Sequence, residues 1–453
     1  MDIILINPGN FQFNKRTEHL GIACLKSYIA SKDYNVDMID LSLEEKTLSQ
    51  LIRELMAINP AMIGFSLLNE TVHNGIKIIR GLRKKGFTGK IVVGGYFATF
   101  SSKELLSDFR EINYVVRGEG EITLEELLNF EIRRQGYPEA IAGLSYRNED
   151  DIIENPSRPL IEDLDILPPP DRKYANVVME QKSPLRLYGT RGCWGQCSFC
   201  DIVGLYGISK GKAWRRRSAK NLVDEIALLH QQYNTSHFIF NDDQFLVKGR
   251  KAIEYVEEFA SELEKRSLNI KFELMCRADT VKKDVMLRLQ SVGLQRVFLG
   301  LESFDPKQLA RFKKNISVRQ NLKAVITLYQ LKIDVIASVI LADAFTTLWD
   351  LLRQFMIIFQ LKSRYFNSRH CQISINKKLE IYRGGSVYNE YKQKGILTKD
   401  HYLNGIDYNL KLWTGLRIKM LVIEEYISRA IYKPNVVIDQ IKQSVKYKLA
   451  LLR

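Results

Sequence analysis

Three cysteines in one short segment are the strongest chemical signal in this sequence. Cys193, Cys197 and Cys200 form a CxxxCxxC pattern within eight residues. Three thiolates on a tight loop can each bind one iron of a cubane cluster, which normally takes four cysteine ligands. One iron then keeps an open position for a cofactor or substrate, as the metal does in an open zinc site. Zinc itself is the alternative, but no fourth Cys or His lies nearby to complete a structural zinc site.

Two adjacent acids, Asp242 and Asp243, are the next candidates. They follow, after Asn241, a run at 237–240 that predicts a strand. Carboxylates at the carboxyl end of a parallel strand favour a role in a site, because ligands bind at that edge of such sheets. The alternative is that both acids belong to a solvated surface.

The elements that must position these residues fall into two groups. Residues 1–130 alternate apolar runs at 3–6, 36–39, 62–67, 91–93 and 114–116 with helical patterns. Five such units predict an α/β, doubly wound, Rossmann-like sheet of the flavodoxin type, whose ligand lies at the carboxyl edge. A further short strand is expected at 142–146.

The alternation resumes after a linker that contains Pro168-Pro169-Pro170. Six strands are expected at 187–189, 237–240, 271–274, 296–299, 333–341 and 372–375. They predict a partial (β/α)6 version of the TIM barrel, with its site at the strand C-termini. The predicted divisions are a first domain at 1–150, a linker at 151–184, a barrel at 185–375 and a basic, mostly helical region at 376–453.

Composition limits the class of protein. The 453 residues carry 67 Lys and Arg against 52 Asp and Glu, and 45% are hydrophobic, which indicates a globular chain. The net charge of +15 lies mainly in residues 361–453, which hold 18 of the basic residues and 7 of the acids. These basic residues are scattered, so they predict a solvated surface, and a nucleic-acid partner is not expected. No apolar run reaches membrane-span length, and we expect a cytoplasmic protein with reduced thiols.

The cysteine loop and the segments after it resemble those of the radical SAM enzymes. Arg191-Gly192, Phe199, Arg217-Ser218, Asp224-Glu225, Asn241-Asp242-Asp243-Gln244-Phe245 and Gly300-Leu301-Glu302-Ser303-Phe304 occur in the family's order. In that family a [4Fe–4S] cluster binds S-adenosylmethionine at its open iron and cleaves it to methionine and a 5′-deoxyadenosyl radical. The resemblance implies that Cys193, Cys197 and Cys200 bind the cluster. It implies binding of S-adenosylmethionine by Phe199, Asp242, Asp243, Gly300, Glu302 and Ser303.

The N-terminal half resembles the cobalamin-binding domain of the cobalamin-dependent radical SAM enzymes. The resemblance depends on Gly64-Phe65-Ser66, on Val93-Gly94-Gly95 and on the Arg-Gly-Glu-Gly-Glu segment at 117–121. It implies that cobalamin is bound by Ser66, Gly94, Gly95, Thr99, Gly118 and Glu119. Glycines at strand ends allow close approach to a corrin, although any one of them also fits an ordinary tight turn.

Two departures from that family concern cobalt and the corrin. The sequence has no DxHxxG, the motif that supplies a histidine to cobalt in other cobalamin proteins. Water, another side chain or nothing then occupies the lower face, and His73 is expected on a helix surface. Phe97 stands where related sequences often have histidine. Cys24, Cys276 and Cys371 are widely separated and are expected to be buried structural thiols.

The resemblance implies a C-methyltransferase for an unactivated carbon of a secondary-metabolite or peptide substrate. The deoxyadenosyl radical would remove a hydrogen atom, methylcobalamin would supply the methyl group, and a second S-adenosylmethionine would remethylate cobalt. The alternative uses the same cofactors for ring formation, contraction or rearrangement without methyl transfer. A cobalamin or metal sensor fits less well, as does a tRNA methylthiotransferase, whose N-terminal domain would need further cluster cysteines. Expected partners are the small-molecule or peptide substrate and an electron donor such as flavodoxin or ferredoxin.

Overall fold

The first part of the chain forms a seven-stranded sheet in the computed structural model, which describes residues 1–9, 17–366 and 371–410. Its strands are β1 (Ile3–Asn7), β2 (Val36–Asp40), β3 (Met62–Ser66), β4 (Lys90–Gly94), β5 (Tyr114–Val116), β6 (Leu144–Asn148) and β7 (Asp151–Glu154). The order is β2-β1-β3-β4-β5-β6-β7, with β1 to β5 parallel and the last two strands antiparallel. The five parallel strands thus confirm the predicted doubly wound order.

Helices cover both faces of this sheet. They are α1 (Leu20–Ala30), α2 (Leu48–Ile58), α3 (Val72–Lys84), α4 (Tyr96–Phe100), α5 (Ser102–Asp108) and α6 (Glu121–Glu131). Alternate residues of β1 enter opposite apolar clusters, with Ile4 and Ile6 on one face and Ile3 and Leu5 on the other. Burial on both faces explains why the strands are continuous apolar runs.

The second part of the chain is a parallel, six-stranded partial barrel. The order is β15-β14-β13-β12-β11-β8, and β9 and β10 form a separate antiparallel pair. The strands are β8 (Leu185–Leu187), β9 (Thr190–Arg191), β10 (Arg215–Arg216), β11 (His237–Phe240), β12 (Lys271–Arg277), β13 (Leu294–Glu302), β14 (Asp334–Ile340) and β15 (Cys371–Asn376). The helices are α7 (Ala175–Glu180), α8 (Asp201–Gly207), α9 (Ala219–Tyr233), α10 (Arg250–Lys265), α11 (Lys283–Ser291), α12 (Pro306–Arg311), α13 (Val318–Gln330) and α14 (Leu348–Arg364). The six predicted βα units are therefore confirmed.

Two local expectations differ from the structure. The first barrel strand ends at Leu187 instead of 189, because Asp242 accepts hydrogen bonds from the backbone N–H groups of Gly189 and Thr190 and removes them from the sheet. The range 151–184, predicted as a linker, begins with β7, which pairs with β6 in the first sheet.

The tail segment, residues 376–410, closes the described chain with mixed structure. It contains α15 (Ser386–Gln393) and a hairpin of β16 (Leu397–His401) and β17 (Gly405–Tyr408). The prediction of a mostly helical region is wrong for this part, and residues 411–453 lie outside the described ranges. Within those ranges no helix combines the length and hydropathy needed to span a membrane.

A buried group of three charged side chains, Arg191, Glu119 and Glu121, connects the two parts of the chain just before the first cysteine. Arg191 lies two residues before Cys193, and its guanidinium donates to Glu119 Oε1 at 3.1 Å and to Glu121 Oε1 at 2.5 Å. These three charged side chains are 5 to 13% exposed. Burial would raise the pKa of Glu121, but the charge and hydrogen bond of Arg191 outweigh it and lower that pKa.

Glu119 connects three segments of the chain. Arg215 donates to both of its carboxylate oxygens, at 3.0 and 2.9 Å, and the N–H of Ile161 donates to it at 2.8 Å. We call the contacts that Glu119 makes with Arg191, Arg215 and the N–H of Ile161 the Glu119 joint. It fixes the segment before the cysteines against the carboxyl end of β5.

A second buried network supports the same interface. Arg172 donates to Glu18 Oε1 at 2.6 Å and to Glu225 Oε1 at 2.7 Å, and Arg217 also pairs with Glu225. Glu18 precedes α1 in the first part of the chain, and Glu225 lies in α9 of the barrel. The two parts are thus held at two separate charged contacts.

Glu119→Gln should destabilise the protein, because Arg191 and Arg215 would keep buried charges with reduced compensation. Breaking a buried pair typically costs about 3–5 kcal/mol. The matched control is Glu258→Gln, whose carboxylate is 53% exposed and pairs with Arg216, so we expect less than about 1 kcal/mol there. Urea unfolding of the purified variants measures both changes. Equal unfolding midpoints for the two variants would contradict the structural role given to Glu119.

Candidate active site

The carboxyl edges of the two sheets line one cleft of about 430 Å³. The first sheet contributes Ser66, Gly94, Gly95, Gly118 and Glu119, and the barrel contributes Thr190, Arg191, Asn241 and Asp243. Ligands held at either edge therefore meet in the same space, as expected for sites built at strand C-termini.

The cysteine loop, residues 192–200, lies between β9 and α8 beside this cleft. Arg277 Nη1 lies 3.3 Å from Cys197 Sγ, and the N–H of Gly195 donates to Cys193 Sγ at 3.2 Å. Burial raises the pKa of Cys193, and it raises that of Cys200 to about 12. Ligation by a metal would displace these protons, and Arg277 provides positive charge beside the resulting thiolates.

The positions of the possible metal-binding side chains bear on whether a cluster or a single metal ion could bind. Among residues 1–9, 17–366 and 371–410, no three His, Cys, Asp or Glu side chains converge where one metal ion could bind them together. A cubane does not need such convergence, because each cysteine binds a different iron. Three cysteines on one loop are compatible with one cluster, in which each would bind a different iron.

Glu302 stands at the carboxyl end of β13 in an unusual backbone conformation. Its φ is +65°, and the pairing with β14 shifts register between Gly300 and Glu302. The carboxylate accepts from Lys314 Nζ at 3.0 Å, and a Cβ on Gly300 would lie 2.7 Å from Glu302 Oε1. Gly300 therefore gives the Glu302 side chain room to turn towards Lys314.

Lys314 supplies a buried positive charge between Glu302 and the cysteine loop. Burial lowers its pKa, but the negative charge of Glu302 and the hydrogen bond to it outweigh burial and raise it. The barrel edge thus offers a carboxylate and an ammonium group close to the cysteines. This pair suits a zwitterion, such as the amino acid part of S-adenosylmethionine.

Phe199 and Ser303 pack into the protein at the same edge. The Phe199 ring meets Phe312 at a centroid distance of 5.0 Å in an edge-to-face contact. Ser303 is fully buried, donates to Gln354 Oε1 at 2.9 Å and accepts from the N–H of Asp305. These hydrogen bonds of Ser303 hold the turn after β13 in place.

Asp242 and Asp243 act on the cysteine loop in different ways. Asp242 Oδ1 accepts from the N–H of Gly189 at 2.9 Å and from Thr190 Oγ1 at 2.9 Å, and Asp243 Oδ2 accepts from the N–H of Gly192 at 3.1 Å. Burial raises their pKa values to about 7 and about 6. Both acids therefore hold the backbone that leads into the loop, and only Asp243 lines the cleft.

Five of the six predicted cobalamin residues, all except the buried Thr99, line the opposite side of the cleft. Gly95 has φ +94°, and a Cβ there would lie 2.9 Å from the carbonyl oxygen of Leu67. Gly118 has φ +76°, and a Cβ on it would meet no atom closer than Ser209 Oγ at 3.7 Å. Thr99 Oγ1 donates to the Gly95 carbonyl at 2.9 Å and accepts from the N–H of Gly118 at 3.1 Å. Thr99 therefore fixes the two glycine turns, whose bare backbone leaves space for a flat ligand.

Sequence reasoning missed His19, which lines the cleft at the start of α1. Its Nδ1 accepts from the N–H of Ile22 at 3.2 Å, and its Nε2 lies 3.2 Å from Ser66 Oγ. Burial lowers its pKa. Both ring nitrogens thus have protein partners. Its position just before a predicted helix, after β1, is the sequence signal that could have identified it. His73 lies exposed on α3, as predicted.

Cys24, Cys276, Cys371 and Trp194 have defined surroundings in the structure. Cys24, Cys276 and Cys371 are buried, as predicted, and Cys24 also lines the cleft beside Tyr188. Trp194 Nε1 donates to the carbonyl of Leu246, and Lys248 and Arg277 lie over its ring. Their centroid distances are 4.6 and 4.7 Å.

Comparisons with known families match both halves of this site. A B12 binding domain model matches residues 11–128, and a radical SAM superfamily model matches residues 187–351. The first match covers the side of the cleft that the first sheet contributes, and the second covers the cysteine loop and β13. The chain belongs to the cobalamin-dependent radical SAM enzymes. Its cofactors are cobalamin, S-adenosylmethionine and a [4Fe–4S] cluster.

Relatives of this radical SAM enzyme have several activities in their names. It is 27% identical over 354 residues to the uncharacterized methyltransferase PH0819 of Pyrococcus horikoshii, covering 75% of this chain and 74% of that protein. It is 26% identical over 343 residues to the anaerobic magnesium-protoporphyrin IX monomethyl ester cyclase of Rubrivivax gelatinosus, covering 72% and 60%. The chain thus spans less than two thirds of that cyclase.

Solved structures share the fold. The cobalamin-dependent S-adenosylmethionine radical enzyme OxsB superposes with a TM-score of 0.74 at 20% identity, over 91% of this chain and 64% of that chain. The methyltransferase TsrM from Kitasatospora setae has a TM-score of 0.73 at 16% identity, over 88% and 77%. These likenesses confirm the arrangement of the cobalamin-binding sheet and the radical SAM barrel.

Replacing Cys193, Cys197 and Cys200 together by Ala should abolish iron binding. The oxygen-free wild-type protein should bind about four irons, because three cysteines on this loop support one cubane. Cys276→Ala is the control, since this thiol is buried in β12 away from the loop. Iron analysis and visible absorbance measure the outcome. Iron retained by the triple variant would exclude the loop as the cluster site.

Proposed function

We propose that this radical SAM enzyme is a C-methyltransferase for an unactivated carbon of a secondary-metabolite or peptide substrate. The supporting observation is the single cleft lined by the carboxyl edge of the first sheet and, from the barrel, by Thr190, Arg191, Asn241 and Asp243, which lead into and out of the cysteine loop's supports. A methyl donor at one wall and a radical generator at the other would then reach one substrate carbon. The names of PH0819 and of the hopanoid C-3 methylase of Methylococcus capsulatus support methyl transfer.

The residues divide between the cofactors as follows. We propose that Cys193, Cys197 and Cys200 bind the cluster, and that Glu302 with Lys314 binds the amino acid part of S-adenosylmethionine. Gly94, Gly95 and Gly118 would support the corrin, and the His19–Ser66 pair would face its nucleotide side. When bound, the cofactors supply a carbon-centred radical and a transferable methyl group.

The protein's own contribution is positioning and exclusion of water. Asp242 and Asp243 fix the backbone before the cysteines, and the Glu119 joint fixes that backbone against the cobalamin wall. Glu119 has both carboxylate oxygens engaged by arginines. We therefore propose a positioning role for Glu119 in place of the predicted cofactor contact.

A second candidate is ring formation or rearrangement without methyl transfer. It is supported by three relatives named anaerobic magnesium-protoporphyrin IX monomethyl ester cyclase, at 24 to 28% identity. The same residues would serve this reaction, and only the fate of the methyl group differs. In both cases a small protein such as flavodoxin or ferredoxin is the proposed electron donor.

Methyl-deuterated S-adenosylmethionine distinguishes the two candidates. The reconstituted, oxygen-free enzyme is incubated with a reductant and a metabolite extract from cells that lack this gene. We expect a product with all three deuterons and equal amounts of S-adenosylhomocysteine and 5′-deoxyadenosine, because one donor yields the radical and a second restores the methyl group. The cysteine triple variant serves as the control. Deoxyadenosine with a new, unlabelled product would instead support rearrangement.

A further inference from the structure

Arg277 carries a buried guanidinium that the proposed function does not use. It is the last residue of β12, and only 5% of it is exposed. Its Nη1 lies 3.3 Å from the sulfur of Cys197 in the cysteine loop. Arg277 is not among the residues that line the cleft between the two sheets. Its charge is therefore placed to act on the cysteine loop.

The other nitrogens of this guanidinium are held by the protein. Nε donates to Asp279 Oδ1 at 3.1 Å, and Nη2 donates to Asp279 Oδ2 at 3.3 Å and to the carbonyl of Lys314 at 2.5 Å. The guanidinium also lies over the ring of Trp194, with 4.7 Å between its central carbon and the ring centroid. These contacts leave Nη1 as the nitrogen that is directed at Cys197.

Gly195 leaves the room that this approach requires. A Cβ on Gly195 would lie 2.8 Å from Arg277 Nη1, which is closer than side chains normally pack. The φ angle of Gly195 is not positive, so its backbone does not itself require glycine. In this position the glycine therefore serves the contact between Arg277 and the loop.

The charges around Arg277 do not cancel. Asp279 is also paired with Lys248, whose Nζ lies 2.6 Å from Oδ2. Two positive side chains thus share one carboxylate, and one positive charge remains beside the sulfur of Cys197. The same arrangement means that Asp279 would keep a partner if Arg277 were replaced.

The position of this charge bears on electron uptake. A [4Fe–4S] cluster gains one negative charge when it takes up one electron, and no bond forms or breaks. A positive charge and an N–H donor beside a ligand sulfur stabilise the reduced form more than the oxidised form.

We infer that Arg277 raises the reduction potential of the cluster through the sulfur of Cys197. The electron then passes more readily from a one-electron donor protein, which is oxidised, to the cluster, which is reduced. The inference rests on the proposed binding of the cluster by Cys197. Arg277 is in this sense a positioning residue, because it acts on the cluster through a ligand.

A redox titration of the cofactor-loaded protein without S-adenosylmethionine tests this role. Dithionite supplies the electrons, and electron paramagnetic resonance measures the reduced cluster. In Arg277→Gln we expect the ratio of reduced to oxidised cluster at a given potential to fall about tenfold, which equals about 59 mV for a one-electron couple. The Co(II)/Co(I) couple of the bound cobalamin should stay unchanged in the same sample. An unchanged cluster potential in Arg277→Gln would overturn the inference.

Arg296→Gln is the matched control, because it removes the same charge from another strand of the barrel. Arg296 precedes Gly300, the partner of Arg277 in the sheet, by four residues, and so lies about 13 Å away along the strand. Its Nη1 pairs with Glu273 at 3.2 Å. We expect its ratio of reduced to oxidised cluster to stay within about twofold of the wild type. An equal shift in both variants would mean that net charge alone matters and would overturn the role of the contact.

Gly195→Ala tests the contact without a change of charge. The added methyl group should push Arg277 Nη1 away from the sulfur, so we expect a shift in the same direction of about threefold. In the double variant with Arg277→Gln, the alanine should add nothing, because the guanidinium is already absent. An undiminished alanine effect in the double variant would contradict action through Arg277.

A protein labelled with ¹⁵N-arginine shows the contact directly. Electron spin echo envelope modulation of the reduced cluster should detect a ¹⁵N coupling in the wild type and in Arg296→Gln, and none in Arg277→Gln. No coupling in the iron-loaded wild type would overturn the inference, even if Arg277→Gln failed to fold.

Failure of the cluster assignment gives a different result. If the variant lacking all three loop cysteines kept its iron, the cysteine loop would not be the cluster site. If instead the loop binds the cluster and Arg277→Gln weakens S-adenosylmethionine binding at an unchanged potential, Arg277 contacts that cofactor and the inference is wrong.

Discussion

The buried pairing of Arg191 with Glu119 and Glu121 is the constraint on which the active site depends. Arg191 is two residues before Cys193, the first of the three loop cysteines, and both acids follow β5 of the cobalamin-binding sheet. Charges this deeply buried are costly unless each finds its partner, so the interface tolerates only the arrangement in which all three meet. These ion pairs thereby fix the segment before the cysteine loop relative to the carboxyl edge of the first sheet.

The backbone on both sides of the cleft is held in place by particular residues. Asp242 ends the first barrel strand early and releases the chain into the cysteine loop, and Gly300 leaves room for Glu302. On the opposite wall Thr99 ties together the turns at Gly95 and Gly118. The tail segment completes the assembly through Gly384, which packs against α8 directly after the same loop. The cysteine loop is therefore held by contacts from distant parts of the chain.

The sequence predicts the strand order, the six βα units and the cysteine loop, because continuous apolar runs indicate buried parallel strands and clustered cysteines indicate a metal centre. It does not reveal the role of Glu119, since an acid in a glycine-rich segment looks the same whether it faces a ligand or an arginine 72 positions later. The sequence does not indicate a role for His19, because only the folded chain brings it into contact with Ser66. The sequence did not indicate β7, because this short strand begins and ends with an acid, Asp151 and Glu154. For Glu119 and for the contact of His19 with Ser66, the missing information is a contact between residues far apart in the sequence.

Magnetic interaction between cobalt and the cluster is the most direct test of a shared cleft. The oxygen-free protein is reduced until it holds both Co(II) cobalamin and the paramagnetic [4Fe–4S]⁺ cluster, and its electron paramagnetic resonance spectrum is compared with those of the singly paramagnetic forms. If both cofactors open onto one cleft, the Co(II) signal should be broadened or split, and its relaxation should become faster when the cluster is reduced. A spectrum equal to the simple superposition of two isolated centres, with unchanged relaxation, would contradict the shared site.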